Sequence, residues 1–154
     1  MNIAWPRIPL SRALRQAEDV VFLVDDQEYR QVTVSLHGRG LRLRQIVKGA
    51  DVKTKRQYRV RAGQFLYSRI DARNGAFGLV PSELDGAVVS NDFPVFDVEA
   101  TVADPRFLAY LAQSRWFVPN AKTQVEASPI ASACRRRFCC RWKFRCRRYP
   151  SSSG

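Results

Sequence analysis

The sequence predicts an α+β domain: a twisted, mainly antiparallel sheet with a few short helices. Apolar and polar residues alternate from Tyr29 to Leu36 with the period of two that is typical of a half-buried strand. Two β-favouring runs flank Asn74-Gly75, which indicates a hairpin. Asp104 followed by Pro105 predicts a helix start. An Asp side chain can cap the first turn, and Pro has no backbone N–H that would need a hydrogen-bond partner there. This helix is expected to run to about Phe117.

The N-terminal part is expected to contain a short helix and then a strand. Ser11 can cap a helix over Arg12 to Ala17. The apolar run from Val20 to Val24 predicts a buried strand, and Asp25-Asp26 turns the chain after it. That run is too short to span a bilayer, and the N-terminus lacks the apolar core of a secretory signal. We therefore expect a cytoplasmic protein.

A basic strand is predicted after the glycine-rich turn at residues 37–40. Arg42 and Arg44 occupy alternate positions, so strict alternation would project both from one side of the strand. Two arginines on one side can follow a phosphate backbone. The Gly-Arg-Gly sequence of the turn has neither the spacing of a dinucleotide-binding glycine loop nor a Walker lysine.

The stretch from Tyr67 to Pro81 combines a turn with two arginines and an amide. A tight primed turn is expected at Asn74-Gly75, because both residue types tolerate positive φ. Gly78 indicates a bulge or a close backbone approach. Arg and Asn side chains are well matched to the edges of guanine and adenine, so we expect base contacts from this turn. The residues expected near base edges are Arg69, Arg73 and Asn74. A solvated hairpin with ordinary surface arginines is the alternative.

Positive charge lies in two blocks of the 154-residue chain, whose formal net charge is +12. Residues 39–73 contain eleven Lys and Arg against two Asp and Glu, and residues 119–154 contain nine against one. A local excess of this kind is expected on a nucleic-acid-binding surface, although a basic face without a partner is the alternative. The residues expected to contact phosphates are Arg42, Arg44, Lys53, Lys55, Arg56 and Arg59.

Five segments carry a family resemblance. They are SRIDARNGAFGLVP (Ser68 to Pro81), LDGAVVSNDFPVF (Leu84 to Phe96), and the stretches Tyr29 to Arg44, Lys53 to Ile70 and Asp104 to Phe117. Together they resemble the target recognition domain of type I restriction-modification specificity subunits, over about residues 5 to 118. The resemblance implies a non-catalytic subunit that recognises one half of a bipartite double-stranded DNA site. Its implied partners are separate methyltransferase and motor-nuclease subunits.

The resemblance transfers no base-contacting residue, because recognition domains of this family differ at those positions. We expect no cofactor, no metal, no small-molecule substrate and no membrane partner. A nuclease or methyltransferase is disfavoured on the residues as well: the chain has one histidine, His37, and lacks a Pro-Asp…Glu-x-Lys cluster and a glycine-rich cofactor loop. We expect a DNA recognition domain in residues 1–118.

Residues 119–154 form a tail rich in Arg, Cys and Ser. The spacing of its four cysteines differs from the paired Cys-x2-Cys of zinc knuckles, and a disulfide framework would need an oxidising compartment. The resemblance implies further helices at this point, including the long helix that docks the methyltransferase, and they are missing. We therefore expect the tail to be disordered or the product of a frameshift. The alternative is a truncated, inactive fragment that binds polyanions non-specifically through this tail.

Overall fold

Eleven strands and two α-helices form the part of the chain that the computed structural model describes, residues 7–114 and 143–145. In chain order the strands are β1 (Arg7–Pro9), β2 (Leu14–Ala17), β3 (Val20–Phe22), β4 (Glu28–Val34), β5 (Leu41–Lys48), β6 (Arg56–Arg59), β7 (Phe65–Tyr67), β8 (Phe77–Leu79), β9 (Val88–Val89), β10 (Val95–Val98) and β11 (Lys143–Arg145). The helices are α1 (Leu10–Ala13) and α2 (Pro105–Gln113), and short 3-10 turns span Gly49–Asp51, Ala72–Asn74 and Ser82–Leu84.

The strands form three sheets. The five-stranded sheet has the order β3-β6-β9-β4-β5, the four-stranded sheet has the order β2-β10-β7-β8, and β1 pairs with β11. Within the described residues, β4 and β9 form the one parallel pair, and every other strand pair is antiparallel. The predicted α+β class with a mainly antiparallel sheet is therefore confirmed.

Strand β7 lies between two hydrophobic clusters, because its side chains alternate and all are buried. Phe65 and Tyr67 belong to a cluster that includes Leu108 of α2, and the Tyr67 ring stacks on Phe96 at 6.0 Å between centroids. Leu66 points the other way, into a cluster with Val32 and other residues of the five-stranded sheet. Full burial of a large apolar side chain contributes about 1.5–3 kcal/mol, so β7 ties the two larger sheets to one core.

Two predictions from periodicity and capping are confirmed. Val32 and Val34 of β4 are buried while the residues beside them are more exposed, as alternation requires. At the start of α2, the Asp104 carboxylate accepts a hydrogen bond from the Arg106 amide at 2.7 Å, and Pro105 occupies the first turn. The helix ends at Gln113, earlier than the predicted Phe117, because Ser114 already has extended backbone angles.

The N-terminal predictions are wrong in two respects. Residues Leu14–Ala17 are strand β2 and do not continue the helix, because they pair with β10 in the register Ala17 opposite Val95. The predicted buried strand at Val20 to Val24 forms β3, but this strand is not buried, because it lies at an edge of its sheet. The side chain of Phe22 is 66% exposed.

The β7–β8 hairpin is confirmed, but its predicted tight primed turn is wrong. Residues 68–76 connect the strands, and Ala72–Asn74 within them form a 3-10 turn. Gly75 alone of the Asn-Gly pair takes positive φ, 76°. This connection, hereafter the 68–76 loop, packs against the turn at residues 35–40. The amides of His37 and Gly38 donate to the carbonyls of Asn74 and Gly75 at 2.9 and 2.8 Å.

The predicted close backbone approach at Gly78 is confirmed. A Cβ at this position would lie 2.6 Å from Leu41 Cδ1 and 3.0 Å from Gly40 Cα. The β-bulge lies elsewhere, in β5. Gln31 faces Gln45 and the next residue faces Leu43, so Arg44 is the extra residue. The prediction that Arg42 and Arg44 project from one side assumed unbroken alternation; across the bulge it stays a prediction.

A turn before α2 is ordered by Glu99. Its carboxylate accepts hydrogen bonds from the hydroxyl of Thr101, at 2.8 Å, and from the amide of the same residue. Both hydrogen bonds lower the pKa of Glu99 below its ordinary value, and the bond from the hydroxyl has the larger effect.

The predictions for the tail lie almost wholly outside the described residues. This holds for the four cysteines, for the boundary at residue 118 and for the expected disorder or frameshift; only β11 is described, as the strand paired with β1. In the described part of the chain, no helix has the length and apolar character needed to cross a membrane.

We expect Gly78→Ala to lower the free energy of unfolding by about 1–3 kcal/mol, because the added methyl overlaps Leu41 and the Gly40 backbone. Denaturant unfolding measures this. In a Leu41→Ala background, which removes the nearer of the two contacts, the cost of Gly78→Ala should be smaller. If Gly78→Ala lowers the free energy of unfolding equally in both backgrounds, Leu41 does not limit the space beside residue 78.

Candidate nucleic-acid interface

Part of the basic block meets solvent on strand β5, which forms one edge of the five-stranded sheet. Arg42, Arg44 and Lys48 on this strand are exposed, as are most of its other residues. The strand pairs along its length with β4, so the two form a long antiparallel ribbon, hereafter the β4–β5 ribbon. The major groove of B-DNA admits two paired strands, and this ribbon forms the edge of its sheet.

An open cleft of about 460 Å³ lies on the five-stranded sheet, and three glutamines line it. We call it the amide cleft; its polar and charged lining includes Gln31, Arg44, Gln45, Asp51, Lys53, Thr54, Gln57 and Ser90, and Val88 and Phe93 also line it. Of the predicted phosphate contacts, the fold thus brings Arg44 and Lys53 together here. Asp51 is the acidic member of the lining.

The glutamines of the amide cleft differ in burial and bonding. Gln45 Nε2 donates to Gln31 Oε1 across the ribbon at 3.1 Å, on the exposed side of the sheet. Gln57 is only 3% exposed, and its Nε2 donates to the Thr54 carbonyl at 2.8 Å. Its Oε1 accepts no hydrogen bond from the described part of the chain. A buried carbonyl without a donor is costly, so the cleft can accept a hydrogen-bond donor at this point.

A second cleft, of about 410 Å³, contains Arg69. It is lined by Gln16, Ala17, Glu18, Tyr58, Arg69, Asn91, Phe93, Pro94 and Val95. Arg69 is half-buried, and its amide donates to the Asp92 carbonyl at 2.9 Å. Arg69 therefore lies at one end of the 68–76 loop, in a cleft that Tyr58 and Phe93 also line.

Arg73 and Asn74 lie on the 3-10 turn of the 68–76 loop. The Arg73 side chain is exposed, and Asn74 Nδ2 donates to Asp71 Oδ1 at 3.2 Å. Because this loop packs on the turn at residues 35–40, Arg73 is held close to the end of the β4–β5 ribbon. Residues of that turn, including Arg39, line a shallow depression together with Arg42 of β5. The loop and the basic ribbon thus belong to one continuous region.

The remaining predicted phosphate contacts have different surroundings. Lys55 Nζ is bound by its own chain, at 2.5 Å from Asp25 Oδ1 and 2.6 Å from the Gly49 carbonyl. Arg56 stacks over the ring of Tyr58, 5.0 Å from its centroid, and donates to its hydroxyl. Arg59 is exposed on β6. Lys55 therefore stabilises the fold, and the arginines keep charge at the surface.

Sequence reasoning missed the amide cleft. The polar half of the alternation in β4 marked Gln31 as solvent-facing, and this was the signal for it. Gln45 carried no such signal, because unbroken alternation groups it with Leu41 and Leu43, and it faces Gln31 through the register shift at Arg44. Gln57 carried no local signal, because its position in the cleft depends on the strand order β6-β9-β4-β5.

No group of three or more His, Cys, Asp or Glu residues that could hold a metal ion occurs in the part of the chain that the structure describes. His37 lies in the 35–40 turn with a φ of 60°, and its amide bonds the 68–76 loop. In its described surroundings it is a turn residue, as its sequence context suggests.

Comparison with known proteins shows the class of fold: it is that of the specificity subunits of type I restriction-modification systems. The structure resembles the crystal structure of the HsdS subunit from Thermoanaerobacter tengcongensis, with a TM-score of 0.62 and 20% identity. The match covers 84% of this chain and 33% of that one. The family resemblance predicted from the sequence is thus confirmed at the level of fold.

A second solved chain gives the same result. It comes from a structure that describes complex assembly and conformational transition of the type I R-M system, with a TM-score of 0.60 and 19% identity. The match covers 86% of this chain and 34% of the other, so this chain spans about a third of the length of both solved chains. No protein-family model matches the sequence, and the search of curated proteins found no match.

Lys53 and Lys55 should differ in their effect on stability. Lys55→Ala removes an ion pair whose side chains are 39% and 68% exposed, together with a part-buried hydrogen bond. We expect a loss of about 1 kcal/mol in the free energy of unfolding, because partly exposed pairs contribute little and the hydrogen bond adds to them. Lys53→Ala, the matched control, should change it by less than about 0.5 kcal/mol. Equal effects in denaturant unfolding would contradict the assignment of Lys55 to the fold.

Proposed function

We propose that this chain is a non-catalytic DNA-binding unit that recognises one half of a bipartite double-stranded site in a type I restriction-modification system. The observation that carries the proposal is the shared fold over most of the chain, combined with an exposed basic ribbon at a sheet edge. The solved chains are about three times as long. The proposed partners are those that the resemblance implies, the methyltransferase and motor-nuclease subunits, together with a unit that recognises the other half of the site.

Two sets of contacts follow from the surroundings of the basic residues. Phosphate contacts are proposed for cations at the surface, which are Arg42, Arg44, Lys53, Arg56 and Arg59. We leave out Lys55, because its ammonium group is bound by Asp25 and the Gly49 carbonyl. Base contacts are proposed for Arg73 and Asn74 on the 68–76 loop, and for Arg69 in its cleft. Phosphate contacts would fix the position of the protein on DNA, and base contacts would supply specificity.

The proposal is tested by selecting bound duplexes from a randomised library with the full 154-residue chain, followed by anisotropy titrations of the enriched duplex. One sequence should be enriched. Affinity should fall by about 10³-fold or more between about 50 and 200 mM salt if about six phosphates are neutralised. Retention of duplexes without any enriched sequence would contradict sequence-specific recognition.

The alternative function, loose polyanion binding through the tail, needs its own variant. Five tail arginines can be replaced by Gln in the full-length chain: Arg135, Arg136, Arg137, Arg147 and Arg148. Under the proposed function, the enriched sequence stays the same and the preference over a scrambled duplex survives. Under the alternative, binding to both duplexes is lost together.

Arg73→Ala and Lys53→Ala should separate base recognition from phosphate binding. We expect Arg73→Ala to reduce discrimination between the enriched and scrambled duplexes by about 1–3 kcal/mol, as for loss of a bidentate base contact. Lys53→Ala should weaken binding to both duplexes alike and reduce the slope of log K against log salt by about 1. Equal losses on both duplexes for both variants would refute the assignment of Arg73.

A further inference from the structure

The amide pair of the β4–β5 ribbon, Gln31 and Gln45, offers hydrogen-bonding groups that suit one base in particular. Gln45 Nε2 donates to Gln31 Oε1 at 3.1 Å, and this bond fixes the two side chains relative to each other. It leaves the Gln31 NH₂ group and the Gln45 carbonyl oxygen unused among the described residues. The pair therefore offers one donor and one acceptor, the two kinds of group with which a single glutamine amide binds adenine.

From this geometry we propose that Gln31 and Gln45 act as one unit that recognises an adenine in the major groove. Gln31 Nε2 donates to adenine N7, and Gln45 Oε1 accepts from the adenine N6 amino group. Guanine is rejected because its N7 and O6 are both acceptors, which places O6 against the Gln45 carbonyl oxygen. The inference deepens the proposed DNA-binding function and rests on it.

The surroundings of the pair support a nucleic-acid ligand. Arg44 and Lys53 line the same cleft, and both are exposed, so they can hold the phosphates on either side of the recognised base. Arg44 is the bulged residue of β5, and bulges commonly redirect side chains next to functional sites. Asp51, also in the lining, disfavours a phosphate inside the cleft itself. Such a lining suits an uncharged base edge in the cleft with phosphates outside it.

Gln57 adds a buried polar group to the lining of the cleft. The side chain is 3% exposed, and its carbonyl oxygen has no donor among the described residues. A hydrogen-bond donor supplied from outside, such as a base amino group or a water carried with the base, would satisfy it. An apolar ligand would leave this carbonyl oxygen without a partner, so the cleft suits a polar, flat group.

The test compares base preferences of full-length variants. The probe is the duplex that the wild-type chain enriches from a randomised library, together with its single-base replacements. Gln31→Ala and Gln45→Ala should each reduce the preference for adenine at one shared position by roughly 5- to 150-fold. Binding to a scrambled duplex should stay within about twofold, because no charge is lost. Gln27→Ala is the matched control: Gln27 is an exposed glutamine whose carbonyl oxygen accepts from the Tyr29 hydroxyl, and it does not line the cleft.

Two further arms test the atoms involved. Replacing the adenine by 7-deaza-adenine removes N7, so it should weaken wild-type binding but have little effect on the Gln31→Ala variant. Gln31→Glu keeps the acceptor for Gln45 Nε2 and removes the donor. It should shift the preference at that position from adenine to cytosine, whose N4 amino group donates to a carboxylate. The same unfolding midpoint for all variants shows that the fold is kept.

The outcomes separate this inference from the proposed function. If the wild-type chain enriches no sequence, the proposed function fails and the inference fails with it. If it enriches a sequence but both glutamine variants keep the wild-type base preference at every position, the inference alone is overturned. A loss of preference that Gln27→Ala reproduces also overturns it, since the effect would then not come from the cleft.

Discussion

The fold depends on one close backbone contact between its two larger sheets. Gly78 of β8 lies so near to Gly40 and Leu41 that a Cβ would overlap them, and Gly38 and His37 bond the 68–76 loop next to it. Hydrogen bonds and a steric limit together fix the end of the β4–β5 ribbon against that loop. Because proteins are close-packed, a shift at this contact would move both the basic ribbon and the loop that carries Arg73.

Local patterns predicted the elements whose structure is decided locally. Alternation predicted β4, and an Asp cap followed by Pro predicted the start of α2, since both signals act within one turn or one strand. Leu14–Ala17 became a strand because β10, some eighty residues later, pairs with it. The prediction of a primed turn at Asn74-Gly75 was wrong for the same reason. The carbonyls of these two residues accept hydrogen bonds from the 35–40 turn, and the observed 3-10 turn orients them toward it.

A block of basic residues predicts a basic surface better than it predicts the role of each residue in it. Arg61 pairs with Asp19 at 3.0 Å, so it helps hold β6 and the start of β3 together. Lys55 does the same at the turn near Asp25. The sequence shows how many cations a segment has. It does not show which of those cations bind groups of their own chain, because these groups come from residues far away in the sequence. The candidate site could therefore be predicted only as a region.

The two candidate recognition zones lie on one rigid framework. The amide pair is near the middle of the β4–β5 ribbon, and the 35–40 turn, which supports the 68–76 loop, is at its end. Three residues of strand lead from Gln31 to Val34, where β4 ends and the turn begins, which is about 10 Å at about 3.3 Å per residue. That length corresponds to roughly three base-pair steps of about 3.4 Å. Because paired strands resist bending, both zones would meet one duplex in a fixed register, and a base recognised at one zone would fix which bases the other can reach.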